Sequence, residues 1–210
     1  MFRSSDHDDP DERAYWNQRY EASDQLWSGA PNSVLVEVAS PLTPGTALDV
    51  GCGEGADAVW LAALGWEVTA VDVSNVALER AERHATDAGV TVRWVLAGLL
   101  NAELAPGSFD LVSAQYPVLA KTANANAERI LLDAVAVGGT LVLVHHADFR
   151  SNDHAHHDFN PEDYVGPWDV VPLLGDGWQV EVNETRPRSL ATGAGAGHSE
   201  DAVLVARRLG

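Results

Sequence analysis

The stretch Leu48-Asp49-Val50-Gly51-Cys52-Gly53-Glu54-Gly55, answered downstream by Ala70-Val71-Asp72-Val73-Ser74, decides how this chain folds. A short apolar run that breaks into glycines and resumes with helical periodicity is a strand-to-helix turn. Glycines let the backbone turn sharply and bring main-chain N–H groups close to a ligand, with no Cβ in the way. Those amides sit at a helix N-terminus, which suits an anionic group such as a carboxylate or phosphate. Asp72, 21 residues after Gly51, ends the next strand, where a carboxylate can accept both hydroxyls of a ribose.

Outward from this pair the chain alternates strand and helix. Thr46 to Val50 reads as the first strand, Ala56 to Leu64 as a helix stopped by Gly65, and Glu67 to Val71 as the second strand. Ser74 caps a helix through His84 that Gly89 ends, and Thr91 to Leu96 is the third strand. Phe109 to Ala114 is the fourth, Ala127 to Val137 a helix ended by Gly138-Gly139, and Thr140 to Val144 the fifth. Strands separated by helical stretches, several apolar on both faces, indicate a parallel sheet covered on both sides. Pro161 to Leu174 reads as a helix, and Trp178 to Thr185 and Ala202 to Arg207 as a closing antiparallel hairpin. The expected fold class is α/β: a Rossmann-like, doubly wound sheet of seven strands, mostly parallel, with an antiparallel C-terminal hairpin.

Before the first strand, residues 1–12 are acidic and aperiodic and read as a disordered tail, leaving 13–210 as one domain. Within it, 13–45 reads as an N-terminal helical lid. Tyr15, Trp16, Arg19 and Tyr20 fall at helical spacing from Glu12 to Ala22, and a turn at Trp27 to Asn32 precedes a helix through Val34, Val38 and Ala39. Those aromatic residues fit two readings equally, a cover over a ligand or a docking face.

Composition narrows the partners. The net charge is −18, from 31 acidic and 13 basic residues, and Lys121 is the one lysine. A surface this negative repels nucleic acid and anionic lipid, both of which are bound by neutralising phosphates. No apolar run has the length of a membrane span, and the polar start does not resemble a signal peptide, so a cytoplasmic location is expected. The single cysteine, Cys52, rules out an internal disulfide and any metal site built on several cysteines. It reads as a small packed residue rather than a nucleophile.

The glycine loop alone leaves the ligand open, because Gly51, Gly53 and Ala56 also satisfy the dinucleotide fingerprint G-x-G-x-x-G/A. Asp49 tips the balance. A carboxylate two residues before the loop opposes a diphosphate, whereas the ammonium and sulfonium of S-adenosylmethionine gain from it. Gly55 adds G-x-G-x-G spacing, and 210 residues leave little room for a separate substrate domain.

With these features the sequence resembles the class I S-adenosylmethionine-dependent methyltransferases from Tyr15 to Arg207. LDVGCGEGADAVWLAALGWEVTAVDVS looks like their first two motifs, FDLVSAQY like the fourth strand and GGTLVLV like the fifth. YWNQRY…LWSGAPN and PEDYVGPW…GW are loosely similar to the small-molecule members of the tellurite-resistance and thiopurine type. The resemblance implies S-adenosylmethionine as cofactor and a methyl group passed to a small thiol, hydroxyl, amine or chalcogen oxyanion. It implies that Asp49, Gly51, Gly53 and Gly55 hold the methionine part, Asp72 the ribose and Val73 one face of the adenine. The chain departs from the pattern after the third strand, where Gly98 stands in place of an acidic residue; backbone groups of Gly98 and Leu99 would then serve. Gln115 and Tyr116, after the fourth strand, are placed where cofactor and acceptor meet. Trp27 and Arg19 are candidates from the lid.

Catalytic candidates come from the same sheet edge. His145 and His146 end the fifth strand, and either could act as a general base beside Tyr116. Glu54 reads equally as a group near the cofactor ammonium or as a solvated acid at a helix start. A polar loop continues through His154, His156 and His157 among Asp148, Asp153 and Asp158, with His198 before the last strand. It reads first as surface, with a metal site on His154, His156 and an aspartate as the lesser alternative, so no metal is assigned. Two other functions stay open: a nicotinamide-dependent oxidoreductase, and a sensor that binds S-adenosylmethionine without catalysis. Oligomeric state is not legible.

Overall fold

The computed structural model describes residues 10–147, 163–188 and 198–210. The chain runs α1 (Pro10–Glu21), α2 (Ser33–Ala39), β1 (Thr46–Val50), α3 (Ala56–Ala63), β2 (Glu67–Asp72), α4 (Asn75–Ala88), β3 (Arg93–Leu96) and β4 (Phe109–Gln115). It continues through α5 (Asn126–Ala134), β5 (Val135–His146), the single turn α6 (Pro167–Val170), β6 (Trp178–Pro187) and β7 (Glu200–Arg208).

The strands form one seven-stranded sheet in the order β3-β2-β1-β4-β5-β7-β6. Strands β1 to β5 are mutually parallel, while β7 runs antiparallel between β5 and β6. The expected doubly wound sheet with an antiparallel C-terminal pair is thus observed. Its order reverses direction at β1 and β4, and in open α/β sheets the crevice beyond the strand carboxyl ends at such a point is where ligands bind.

Core residues fall into two layers because successive side chains on a strand face opposite ways. Leu48, Val50, Val112, Leu141 and Leu143 pack with α5 and the α6 turn on one side. Ala47, Leu111, Val142, Val144 and Val205 pack with α2 and α3 on the other. Leucines such as Leu48, Leu111, Leu141 and Leu204 are fully buried, each contributing roughly 1.5–3 kcal/mol relative to exposure.

Local chemistry sets the boundaries. Ser74 accepts a hydrogen bond from the Ala77 amide (3.1 Å) and starts α4, and Gly89 closes it in the left-handed region at φ 68°. Three expectations need correction. Helix α1 starts at Pro10, so residues 10–12 of the expected tail are its first turn; proline is suited there because its missing N–H would have no helical partner. Residues Val135 to Val137, read as helix, belong to β5: Val135 pairs with Phe109, and the register shift between Phe109 and Leu111 makes Gly138-Gly139 an irregularity within a strand rather than a helix stop. The helix expected from Pro161 to Leu174 is reduced to α6 and a 3-10 turn at Val171–Leu173, with residues 161 and 162 outside the described segments. Extended Gly166 (ψ 178°) precedes Pro167, whose ring disfavours a helical residue before it, and Pro172 removes another donor.

Candidate functional site

Beyond the carboxyl ends of β1, β2 and β4 lies a cavity of about 690 Å³, roofed by α1 and the segment joining it to α2. Its floor is the glycine loop. The amides of Gly51 and Cys52 both donate to the Val71 carbonyl (2.9 and 3.1 Å), which ties the loop to β2. Gly51, Gly53 and Gly55 all have positive φ. At Gly53 (φ 53°) a Cβ would come within 2.9 Å of the Tyr20 hydroxyl and 3.2 Å of Trp27 Nε1, so a side chain would be strained and would also displace the roof. Gly55 does not line the cavity. A Cβ there would meet Ala81 Cβ at 2.7 Å, so the position packs the loop closely on α4.

Three carboxyl groups gather at this floor. Asp72 receives the Gly53 amide on Oδ2 and the Ser74 amide on Oδ1, each at 2.8 Å, and is 8% exposed. Burial outweighs those bonds and raises its pKa to about 6. Asp57, in the first turn of α3, accepts both the amide and the side-chain N–H of Asn32 at 2.7 Å. Burial raises Asp57 as well. Asp49 is 2% exposed; burial first, then the charges of Asp57 and Asp72, hold its carboxyl well above the usual range. Its Oδ2 has no hydrogen-bond partner among the described residues. A buried acceptor of this kind costs free energy unless a donor or cation arrives.

The roof is pinned by polar contacts. Asn17 on α1 donates to Asn75 Oδ1 (2.8 Å) and accepts from the Ser74 hydroxyl (2.7 Å). Glu54 is not solvated: it accepts the Leu26 and Trp27 amides and is bridged at 2.8 Å by Arg80, which also donates to the carbonyls of Tyr20 and Ser23. Trp27 Nε1 donates to the Tyr20 hydroxyl (2.9 Å) directly over Gly53. The aromatic residues therefore satisfy both sequence readings, docking through buried Tyr20 and lining the cavity with Tyr15, Trp16 and Trp27. Arg19 also lines it, its guanidinium 5.4 Å from the Trp16 ring centroid and hydrogen-bonded to Tyr15 (3.2 Å). On the third-strand side, Val73, Gly98, Leu99 and Asn101 form the wall, and the Ala97 amide donates to the Asp72 carbonyl.

The opposite wall differs in composition. Gln115 is buried against Ser113, and Tyr116 follows with φ 53°, an uncommon conformation for a bulky residue. The Tyr116 hydroxyl donates to Asp201 Oδ2 (2.9 Å), and its ring stacks on His146 at 4.5 Å. His146 stacks in turn on His198 at 3.7 Å. Arg188 Nη1 lies 2.9 Å from His146 Nδ1 and 3.3 Å from Asp201 Oδ1, with its guanidinium carbon 4.2 Å from the Tyr116 ring centroid. Burial raises the Tyr116 pKa and lowers those of both histidines, His145 to about 4. Burial alone would raise Asp201, but its contacts with His146, Tyr116 and Arg188 prevail and hold it below the usual range.

Apart from Gly55, all the sequence-selected positions line this one cavity: Arg19, Trp27, Asp49, Gly51, Gly53, Asp72, Val73, Gly98, Leu99, Gln115, Tyr116, His145 and His146. Sequence reasoning missed Asn32, Asp57, Arg80, Arg188 and Asp201. Each acts through a partner distant in the chain, 85 residues away for Tyr116 and Asp201, and no local spacing signals that. His154, His156 and the nearby aspartates of the suggested metal site lie outside the described residues. Among the described residues no group of three or more His, Cys, Asp or Glu is arranged for a metal ion, and no helix is long and apolar enough to cross a membrane.

Residues 47–138 match the family model of a methyltransferase domain. A ubiquinone biosynthesis O-methyltransferase of Burkholderia vietnamiensis is 43% identical over 68 residues, 32% of this chain and 29% of that protein. An uncharacterized methyltransferase of Mycobacterium tuberculosis is 34% identical over 122 residues, 58% of this chain and 61% of that one. The chain thus spans less than two thirds of either relative. The structure solved for the conversion of a disulfide bond into a thioacetal group during echinomycin biosynthesis superposes with a TM-score of 0.73, covering 94% of this chain and 93% of that one at 21% identity, a likeness of fold.

Proposed function

We propose that this chain, which carries a class I S-adenosylmethionine-dependent methyltransferase domain, binds S-adenosylmethionine over the glycine loop and passes its methyl group to a small-molecule acceptor. The observation that carries the reading is Asp49: a buried carboxylate with an open oxygen, crowded by Asp57 and Asp72. A diphosphate would worsen that crowding, and a ligand bearing ammonium and sulfonium charges would relieve it.

The residues present fit the cofactor. Asp49 and the loop from Gly51 to Gly53 would hold the methionine part, Asp72 the ribose hydroxyls, and Val73, Gly98 and Leu99 the adenine, with Tyr20, Trp27 and Arg19 as the cover. When bound, S-adenosylmethionine supplies an electrophilic methyl group on a sulfonium whose departure as a neutral thioether needs no acid. The chain's work is then positioning, which can account for roughly 7–11 kcal/mol in favourable cases. Tyr116, held in its uncommon backbone conformation, orients the acceptor wall, and the roof tied by Glu54 and Arg80 keeps water out.

A net charge of −18 and a single lysine support a small molecule over nucleic acid as the partner, and a cytoplasmic setting belongs to the same proposal. Calorimetric titration with S-adenosylmethionine, S-adenosylhomocysteine and reduced nicotinamide dinucleotide tests the reading. Micromolar binding of the first two and none of the third is expected. Binding of the nicotinamide alone would overturn it.

A further inference from the structure

The wall formed by Tyr116, His146, Arg188 and Asp201 carries a cation beside its carboxylate, unlike the floor, where three carboxyl groups gather. Arginine has five N–H donors and no acceptor, and stays protonated in proteins. The 2.9 Å contact between Arg188 Nη1 and His146 Nδ1 therefore requires that nitrogen to accept. The neutral ring then carries its proton on Nε2. Asp201 Oδ1, at 3.7 Å from Nδ1, is beyond hydrogen-bond range of the same nitrogen. His146 is thus set as a hydrogen-bond donor, and a second proton on it would face the Arg188 cation directly. Tyr116 is likewise committed, its proton given to Asp201.

A second observation concerns Arg188 itself. Its side chain is 7% exposed and lines the cavity, and its Nε–H has no hydrogen-bond partner among the described residues. A buried guanidinium N–H without an acceptor, on a residue that lines the cavity, calls for one, and for an anionic one most strongly.

We propose that Arg188 and His146 make this end of the cavity an anion-binding wall in which neither Tyr116 nor His146 serves as a general base, so that the methyl acceptor is a small acid that arrives already ionised, for which an acidic thiol is the probe. This rests on the methyl-transfer reading above. The acceptor anion's lone pair forms the new bond to carbon, and the old carbon–sulfur pair stays on sulfur as a thioether. The sulfonium and acceptor charges cancel, so no proton has to be received by the chain. An alcohol, which ionises only far above neutral pH, would lack the base it needs. The titratable groups facing His146 agree: His145 is kept neutral by burial, and Asp201 is too weak a base while it holds Tyr116 and Arg188. His198, stacked on the far face of His146, is the remaining titratable group beside it.

The test uses the full chain saturated with S-adenosylhomocysteine, whose own binding is monitored first, titrated with 4-nitrothiophenol, which reports thiol and thiolate by colour. The expected result is binding as thiolate, with the probe's pKa lowered and affinity reduced about tenfold or more in Arg188→Gln. Binding as the neutral thiol, indifference to Arg188→Gln, or no binding to a chain that does hold S-adenosylhomocysteine overturns the proposal. Failure to hold S-adenosylhomocysteine would instead sink the cofactor reading. Independently, nitrogen-15 NMR of the histidines should show His146 as the Nε2–H tautomer from pH 6 to 8, and a proton on Nδ1 overturns the wall as described. In turnover with S-adenosylmethionine, the pH profile should follow the thiol's own ionisation and keep its shape in His146→Gln. A profile fixed near pH 6–7 for every thiol and abolished in His146→Gln or His198→Gln would show a general base after all.

Discussion

The two walls of the cavity are both lined with buried ionisable groups, yet their electrostatic states are opposite. On the floor, Asp49, Asp57 and Asp72 crowd one another with no cation among them in the described residues, and all three have raised pKa values. Across the cavity, Asp201 is satisfied by Tyr116 and Arg188 and has a lowered one. The floor is therefore uncompensated on its own, whereas the opposite wall is nearly complete in itself. Stability and function are opposed on one side and aligned on the other.

Changes on each side should expose that difference. The largest effect is expected from Gly53→Val, which strains a φ of 53° and collides with Tyr20 and Trp27. Affinity for S-adenosylhomocysteine should fall at least about 100-fold by calorimetry while the circular dichroism stays native-like, several interactions being lost together. Asp72→Ala should do the same by removing the group that also positions the Gly53 amide.

Next in size, Asp201→Ala removes one partner of a buried ion pair and leaves Arg188 uncompensated. It should destabilise the protein by roughly 3–5 kcal/mol in urea unfolding. Removing the charge of Asp49, the floor carboxylate with an unpartnered oxygen, should have the reverse sign.

The pH dependence sharpens the contrast. Because the folded pKa of Asp72 is raised to about 6, the folded chain keeps a proton that the unfolded chain has lost between about pH 4 and pH 6. The contribution of this group to stability is thus greatest below about pH 4 and declines as pH rises to about 6, by about 3 kcal/mol. Cofactor affinity should move the other way, weakening as pH falls below about 6. Stability and affinity that rise and fall together across that window would refute the picture of an uncompensated floor.

The smallest expected effect is the most diagnostic. Asp49→Asn keeps the shape, and its amide oxygen can still accept from the Ala58 amide, but the crowded charge is gone. The ligand-free variant should melt a few degrees higher than the wild type at pH 7 while binding S-adenosylmethionine more weakly. A lower melting temperature would show that Asp49 is compensated within the protein.

What the sequence revealed divides along the same line. The floor was legible because it is local: the strand Thr46–Val50, the glycine turn and Asp72 lie within one βαβ unit whose periodicity and spacing are printed in 27 consecutive residues. The acceptor wall was half legible. Tyr116 and His146 follow from their place at strand ends, but Arg188 and Asp201 become partners only when β7 inserts between β5 and β6. Glu54 fits two roles in the sequence because its partners at Leu26, Trp27 and Arg80 are set by tertiary packing. Gly138-Gly139 misled for a different reason: the pair that ends a helix by composition also allows a bulge in a strand, and only pairing with β4 separates the two.

That insertion of β7 also orders events during synthesis. On a ribosome the residues of the glycine loop emerge on the order of 150 residues ahead of Asp201, roughly 8–30 s at ordinary elongation rates. Through that interval the nascent chain has the groups that would hold a methyl donor but lacks the carboxylate that settles Tyr116 and Arg188. The floor of the cavity is thus complete in sequence long before β7 supplies the carboxylate that closes the opposite wall.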